Sequence, residues 1–330
     1  MYFLTCFALI IVILFNHDYI SKKINIIDKA DNIRKLHKLN VPQIGGLYIY
    51  FALTVYVIYS NLFSLNNIYQ YDILILYIFS SFFFLLGVID DKYNLNANIK
   101  LISFTLLVSI LIILNTNILI QEVRLNFLGI KFNLGKFSYF WTLICFLLFI
   151  NAFNMFDGIN LQSGSYSVTI LFYFYLFANN FDTLILTLIV FLILFLYLNY
   201  YSKTFLGNNG AYFISFLISY IAINSYNLEN TIFADEIVLL MIIPGLDLIR
   251  LFFTRIRKKK HPFEADRKHI HHLLQKKFNN IQVFLILYIV TWAPIIVAKF
   301  FDVFFILILF QFITYFSIFI FFNKLPLSNQ

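Results

Sequence analysis

Apolar runs recur along this chain from one end to the other, each broken off by a short polar stretch. Eleven of them can be counted, over roughly 2–16, 44–61, 73–89, 100–115, 138–153, 164–179, 183–200, 210–225, 236–254, 282–300 and 302–323, each about long enough to cross a bilayer as a helix. Charged residues are 12% of the 330 and hydrophobic ones 61%, with 43 Phe, far too much apolar surface for a soluble domain. The expected fold is therefore an all-α integral membrane protein, a polytopic bundle of eleven (or ten) transmembrane helices forming a single domain over 1–330. The first run has neither a basic start nor a small-residue cleavage site and reads as a retained span. Cys6 and Cys145 lie inside apolar runs, so neither a disulfide framework nor a cysteine metal site is implied.

The basic residues set the expected orientation. All but four of the 24 Lys and Arg fall in the loops 17–43, 90–100, 201–209 and 255–281, in the C-terminal tail, or at Arg250 at the base of the ninth run. Eleven crossings put those segments on one side, leaving Arg124, Lys131, Lys136 and Lys299 on the other. Such a bias places the basic loops in the cytoplasm, the N-terminus outside and the C-terminus inside. The net charge of +8 is then topological, with no basic stripe for nucleic acid. The outer segment 116–137 mixes Val, Ile, Phe and Gly and suits a short hairpin.

The same alternation brings four polar clusters to the cytoplasmic side. INAFNMFDGINLQS at the end of the fifth run carries Asn151, Asn154, Asp157 and Asn160 at three-residue intervals, with Gly158 letting the chain leave the helix. Amides and a carboxylate so close to hydrocarbon are costly unless paired, and a single Asn there would be no more than a polar helix end. Asp90-Asp91 ends the third run; adjacent carboxylates stay charged readily only near a cation, although a solvated loop start is the plainer reading. Lys100 could reach a phosphate or merely snorkel. Gly207-Asn208-Asn209-Gly210 opens the eighth run, where backbone N–H groups can meet an anion, yet most such turns are only turns.

The fourth cluster, RIRKKKHPFEADRKHIHHLL over 255–274, is the densest. A stop-transfer loop explains Arg255–Lys260 but not three histidines. Zinc would leave the basic cluster unexplained, whereas phosphate groups suit Arg, Lys and His together. Asp247 and Arg250, three apart in PGLDLIR, read equally as an intramembrane ion pair or as part of a site. Four such clusters on one face suggest one site near the interface.

Taken together the clusters resemble the polyprenyl-phosphate N-acetylhexosamine-1-phosphate transferases of glycosyltransferase family 4, over about residues 24–275. IIDKADNIRKLHKLNVPQIGG is similar to that family's first cytoplasmic loop, at Asp28, Lys29, Arg34, Lys35, His37, Pro42, Gly45 and Gly46. GVIDDKYNLNANIK resembles its Asp-Asp motif with the downstream Lys, and INAFNMFDGIN its Asn-x-x-Asn-x-x-Asp-Gly signature. PFEADRKHIHHLL resembles its His-x-His-His loop in the branch that handles UDP-N-acetylhexosamines.

The resemblance implies transfer of an N-acetylhexosamine-1-phosphate from a UDP-sugar to undecaprenyl phosphate, with release of UMP, starting a cell-surface glycan. It implies catalytic roles for Asp90, Asp91 and Asp157, and Mg²⁺ (or Mn²⁺) held by Asp91, Asn154 and Asn208. It implies substrate binding by Lys29, Arg34, His37 and Lys100, by Asn151, Asn154, Asn160 and Asn199, and by Asp247, Arg267, His269, His271 and His272. Expected partners are the UDP-N-acetylhexosamine, undecaprenyl phosphate, the bilayer and a second copy of the chain in a homodimer, with no nucleic acid. The expected location is the plasma (inner) membrane, multi-pass, with the active site facing the cytoplasm.

Two departures stand out. The family's Gly-Asp-x-Gly is here Gly207-Asn208-Asn209-Gly210, and Ile159–Gly164 replaces a Gly-rich continuation. Asn keeps an oxygen but loses a unit charge beside a divalent ion, on the order of several kcal/mol at an effective dielectric of ~20. Phosphates can supply that charge, because Mg²⁺ commonly takes only one or two protein oxygens. A catalytically impaired homologue that binds the lipid carrier or a partner enzyme is the alternative. A secondary transporter for an anionic solute is a third class, but transporters put ligand groups at the midplane, whereas these clusters sit at helix ends.

Overall fold

A computed structural model of the chain describes residues 2–24, 26–28, 40–63, 70–178, 181–228, 232–260, 262, 268–301 and 303–324. Lys29, Arg34, His37 and Arg267, expected to bind substrate, lie outside the described residues.

The chain is helical nearly throughout. In order come α1 (Tyr2–Ile24), β1 (Ile27–Asp28), β2 (Val41–Pro42), α2 (Gly45–Phe63), α3 (Gln70–Tyr93) and α4 (Ala97–Leu114). Then follow β3 (Glu122–Leu125), β4 (Ile130–Asn133), α5 (Ser138–Phe156), α6 (Gln162–Phe177), α7 (Asp182–Tyr200) and α8 (Gly207–Leu228). The rest is α9 (Ala234–Arg257), the short α10 (Ile270–Leu274), α11 (Asn280–Phe301) and α12 (Phe304–Asn323). Each of the predicted apolar runs coincides with one of the long helices. That follows from the solvent: in hydrocarbon every backbone N–H and C=O must be paired within the segment, and a helix achieves this alone.

Nine of the helices, among the described residues, are long and apolar enough to cross a membrane. The exceptions are α6, of 16 residues, α8, and the five-residue α10. In α8 the reason is packing. Every residue from Asn209 to Tyr226 is buried, so this helix meets protein on all sides and can carry Ser215, Ser219, Asn224 and Ser225. The 116–137 segment forms the expected hairpin, β3 pairing antiparallel with β4.

The residues group into two compact units, Met1–Thr116 with Gly164–Ile221, and Asn117–Ser163 with Ala222–Gln330. In the first, α2 packs on α7 and α3, and stacked aromatic rings fill the interior. Phe83 lies between Phe216 at 4.5 Å and Phe104 at 5.6 Å, and Tyr50 stacks on Phe84 at 4.5 Å. Offset and edge contacts of this kind add to plain area burial.

In the second unit α9 is central, flanked by α5, α11 and α12. Its buried charges are satisfied internally: Arg250 bonds Asp247 at 2.7 Å and Tyr315 of α12 at 2.7 Å. Pro294 within α11 cannot donate to the carbonyl of Val290, one turn earlier. Gln311 of α12 donates there instead, at 3.3 Å, and to Thr291 O at 3.0 Å.

Candidate active site

In the first unit the acidic pair sits on the last turns of α3. Gly87, one turn before Asp91, is where α3 meets the start of α8. A Cβ at 87 would overlap the backbone of Asn208 and Asn209, so only glycine lets the two helices come this close. The approach has a purpose. Asp91 Oδ1 accepts the Asn208 N–H at 2.8 Å, and its Oδ2 accepts the Asn209 N–H at 3.0 Å. The Asn209 side-chain amide also donates to Oδ2, at 2.6 Å, and to Gln43 O at 2.9 Å. Asp91 is thus a cap for α8, supplied by another helix, and it takes the positive helix end that an incoming anion could have used.

Asp90 is buried and differently engaged. Its Oδ1 accepts the Leu95 N–H at 2.8 Å; its Oδ2 accepts from the Tyr212 hydroxyl at 2.6 Å and pairs with Lys100 Nζ at 2.7 Å. The two neighbouring carboxylates are therefore balanced by the chain itself, one by an ammonium and one by a helix terminus. A bound cation is not needed to account for their adjacency. Asn199 donates to Thr204 O at 2.9 Å, which shapes the turn ahead of α8.

In the second unit, Asn151 donates to the carbonyl of Leu147 in its own helix at 2.7 Å. Asn154, half-buried one turn on, has no side-chain partner among the described residues. Asp157 ends α5 and accepts a hydrogen bond from Ser163, and Asn160 is half-buried in the following turn. Gly158 touches the His loop. The place where a Cβ would stand is filled by the His271 imidazole.

The His loop is fastened from below. Asp247 Oδ2 meets His269 Nδ1 at 2.9 Å, while its Oδ1 accepts from Arg250 and Tyr315 at 2.7 Å each and from the Ile270 N–H at 3.2 Å. Arg250 also donates to Lys268 O at 2.6 Å. The ion pair between Asp247 and Arg250 is real, and its task is to hold the loop on α9 and α12. His272 bonds Gln275 at 2.8 Å. His271 is buried, lies parallel to the His269 ring at 5.4 Å, and among the described residues neither of its nitrogens has a partner. Burial, then the neighbouring His272 and His269, hold its pKa well below the usual imidazole value. The ring is neutral at pH 7, a hydrogen-bonding group rather than one more cation.

A model of glycosyl transferase family 4 matches residues 73–226. The undecaprenyl-phosphate alpha-N-acetylglucosaminyl 1-phosphate transferase of Salmonella typhi is 26% identical over 296 residues, 84% of this chain and 76% of the relative. The protein of the same description from Escherichia coli K12 is 25% identical over 280 residues, 81% and 74% of the two chains. A probable undecaprenyl-phosphate N-acetylglucosaminyl 1-phosphate transferase of Bacillus subtilis is 28% identical over 265 residues, 77% and 71%. Over residues 73–226 the chain is thus similar to glycosyl transferase family 4.

The stretch matched by the family 4 model runs from α3 to α8 and so includes the acidic pair, the Asn151–Asn160 segment and Asn208. In each unit, further residues that hold the predicted ones had no mark in the sequence. Tyr212 is one of 22 tyrosines, and its position one helical turn after Asn208 is the single clue to it. Asn209 stood inside the Gly207–Gly210 turn without a role, and Tyr315 lies 65 residues from the Arg250 that it serves.

In the first unit the residues beside α8 offer oxygen donors for a divalent ion. Asp91 Oδ1 accepts one N–H, which leaves a lone pair, and the neighbouring Asn208 amide has no partner among the described residues. No cluster of three His, Cys, Asp or Glu side chains suited to a metal occurs among the described residues. This donor set fits an ion held chiefly by phosphates and water, as Mg²⁺ often is, and does not fit zinc.

Proposed function

We propose that this chain transfers an N-acetylhexosamine-1-phosphate from a UDP-sugar to undecaprenyl phosphate and releases UMP, starting a cell-surface glycan of the O-antigen, capsule or teichoic type. The observation that carries the reading is the acidic pair: within the region similar to the family, Asp90 is held by Lys100, Tyr212 and the Leu95 N–H, and Asp91 by the N–H groups of Asn208 and Asn209. The relatives' names supply the class of acceptor. We further propose a plasma-membrane protein with its basic loops in the cytoplasm, where UDP-sugars are made.

In the reaction an oxygen of the lipid phosphate forms a bond to the β-phosphorus of the UDP-sugar. The bond from that phosphorus to the bridging oxygen breaks, and UMP leaves with the electron pair. A phosphate monoester is mostly dianionic at pH 7, so no strong general base is required and the work is positioning and charge neutralisation. Lys100, partly exposed and paired with Asp90, offers the first unit's ammonium to a phosphate. Asp90, fixed by Leu95 and Tyr212, keeps that ammonium oriented. In the second unit His271 offers a neutral ring nitrogen and Asn154 an amide with no partner among the described residues. Asp91 and Asn208 would hold Mg²⁺, which when bound neutralises diphosphate charge. Asn208 in place of the family's Asp is compatible with this, because what position 208 gives α8 is its backbone N–H.

The test is a donor panel. Purified protein in lipid nanodiscs, given undecaprenyl phosphate and a series of UDP-N-acetylhexosamines, should release UMP and form a lipid-linked sugar with at least one of them. No lipid product from any donor, with a relative working in parallel, would mean that the chain binds the carrier without the chemistry.

A further inference from the structure

The hairpin of β3 and β4 is built inside out. Its register sets Val123 opposite Phe132 and Leu125 opposite Ile130 on one face, with Glu122 opposite Asn133 and Arg124 opposite Lys131 on the other. In a hairpin bathed by water the apolar face would turn inward. Here Arg124 is the buried member, 4% exposed, whereas Phe132 is 50% exposed and Ile130 39%. Arg124 is drawn in by Tyr226 at the end of α8. Its guanidinium lies over the Tyr226 ring at 4.3 Å and donates to the Tyr226 carbonyl, and its backbone N–H donates to the phenol at 2.6 Å. The phenol in turn donates to Glu122 O at 2.9 Å, so the edge of β3 is satisfied by protein.

We infer that the Val123/Leu125/Ile130/Phe132 face of this hairpin, with Phe127 at its turn, is embedded in lipid at the headgroup–acyl boundary of the leaflet where α5 begins. Two observations identify lipid as the occupant. Phe127 stacks at 4.6 Å on Phe305, an exposed side chain of the membrane-spanning α12, so the apolar face continues a surface that already meets hydrocarbon. The hairpin is also pinned to the foot of α9, where buried Asp235 accepts the backbone N–H groups of Asn126 and Phe127 at 3.3 Å each. The depth follows from the second edge of β4. It lies outside the two-stranded ladder and needs water or headgroup partners, which excludes the hydrocarbon centre and leaves the boundary a few ångströms in.

Spin labels test this without using activity. Ile130→Cys, Lys131→Cys and Phe132→Cys would be labelled in a Cys6→Ala/Cys145→Ala background and reconstituted in liposomes. Labels at 130 and 132 should collide with oxygen in preference to an aqueous nickel chelate, and the label at 131 should show the reverse. Equal access of the chelate to all three would overturn the inference in favour of water. Dipolar broadening between labels at 132 would overturn it in favour of a second copy. Should the cysteine-free background fail to fold, Phe132→Trp in the native chain gives the same answer. Its added emission should be quenched by lipids brominated high on the acyl chain, and unquenched emission would sink the idea.

Discussion

Tyr212 sets its hydroxyl 2.6 Å from Asp90 Oδ2, the same oxygen that Lys100 reaches at 2.7 Å. The phenol is buried, and its ring meets Phe104 edge-on at 4.8 Å, so it cannot follow if the carboxylate turns. The ammonium and the hydroxyl hold that oxygen from two directions. A hydrogen bond to a charged group is worth about 1.5–3 kcal/mol, so Tyr212→Phe should lower turnover about 10- to 100-fold. If Tyr212 only positions Asp90, the KM for the UDP-sugar should stay near that of the wild type. A parallel rise in KM and fall in thermal stability would instead mean general loosening of α8.

Asp91 has a structural task beside any chemical one. Asp91→Ala removes the cap from α8 and should cost about 0.5–2 kcal/mol of stability, read as a lower thermal midpoint in detergent. Asp91→Asn tests the charge, because its amide nitrogen cannot accept from the helix N–H groups. An unchanged midpoint in both variants would show that the contacts with Asn208 and Asn209 carry no stabilising energy.

Asn208→Asp brings a second carboxylate beside Asp91. If position 208 touches the ion, the Mg²⁺ concentration for half-maximal activity should fall, and without the ion the protein should be less stable through like-charge repulsion. A Mg²⁺ titration that superimposes on the wild type would remove residue 208 from the metal site.

His271 makes the fold sensitive to acid. Its folded pKa is depressed, whereas in the unfolded chain it titrates near 6.5. Between those values the unfolded state binds the extra proton, so stability rises with pH there. The stability tied to the neutral ring is present above about pH 6.5 and is lost as pH falls from there toward the folded value. Thermal midpoints measured from pH 8 down to pH 5 should decline for the wild type and decline less for His271→Leu. Identical slopes would show that the ring is protonated as easily folded as unfolded.

Much of this was legible from the chain because it is local. Length and apolarity decide a membrane helix residue by residue, so the predicted runs and the long helices agree. Polar clusters at helix ends are likewise visible, because hydrocarbon tolerates them nowhere else without partners. The partners themselves were not legible. Asp91 meets residues 117 and 118 positions away, and Asp90 a tyrosine 122 away, distances over which no periodicity carries information. For the same reason the sequence could not show that Lys100 and the start of α8 engage the acidic pair. In the His loop the sequence left the histidines neutral or charged, and the burial that keeps His271 neutral is not visible there.

Gln311 and Pro294 offer a test with an internal control. Proline leaves the Val290 carbonyl without its helical donor, and Gln311 Nε2 reaches that carbonyl at 3.3 Å and Thr291 O at 3.0 Å. Gln311→Leu strands buried acceptors and should cost about 1–3 kcal/mol, with KM values unaffected. Pro294→Ala restores the missing N–H, so in that background Gln311→Leu should cost less. The difference between the two costs, read from thermal midpoints of the single and double variants, measures how far the glutamine stands in for the peptide group. If the costs add without interaction, the amide is held by α11 for some reason other than the proline.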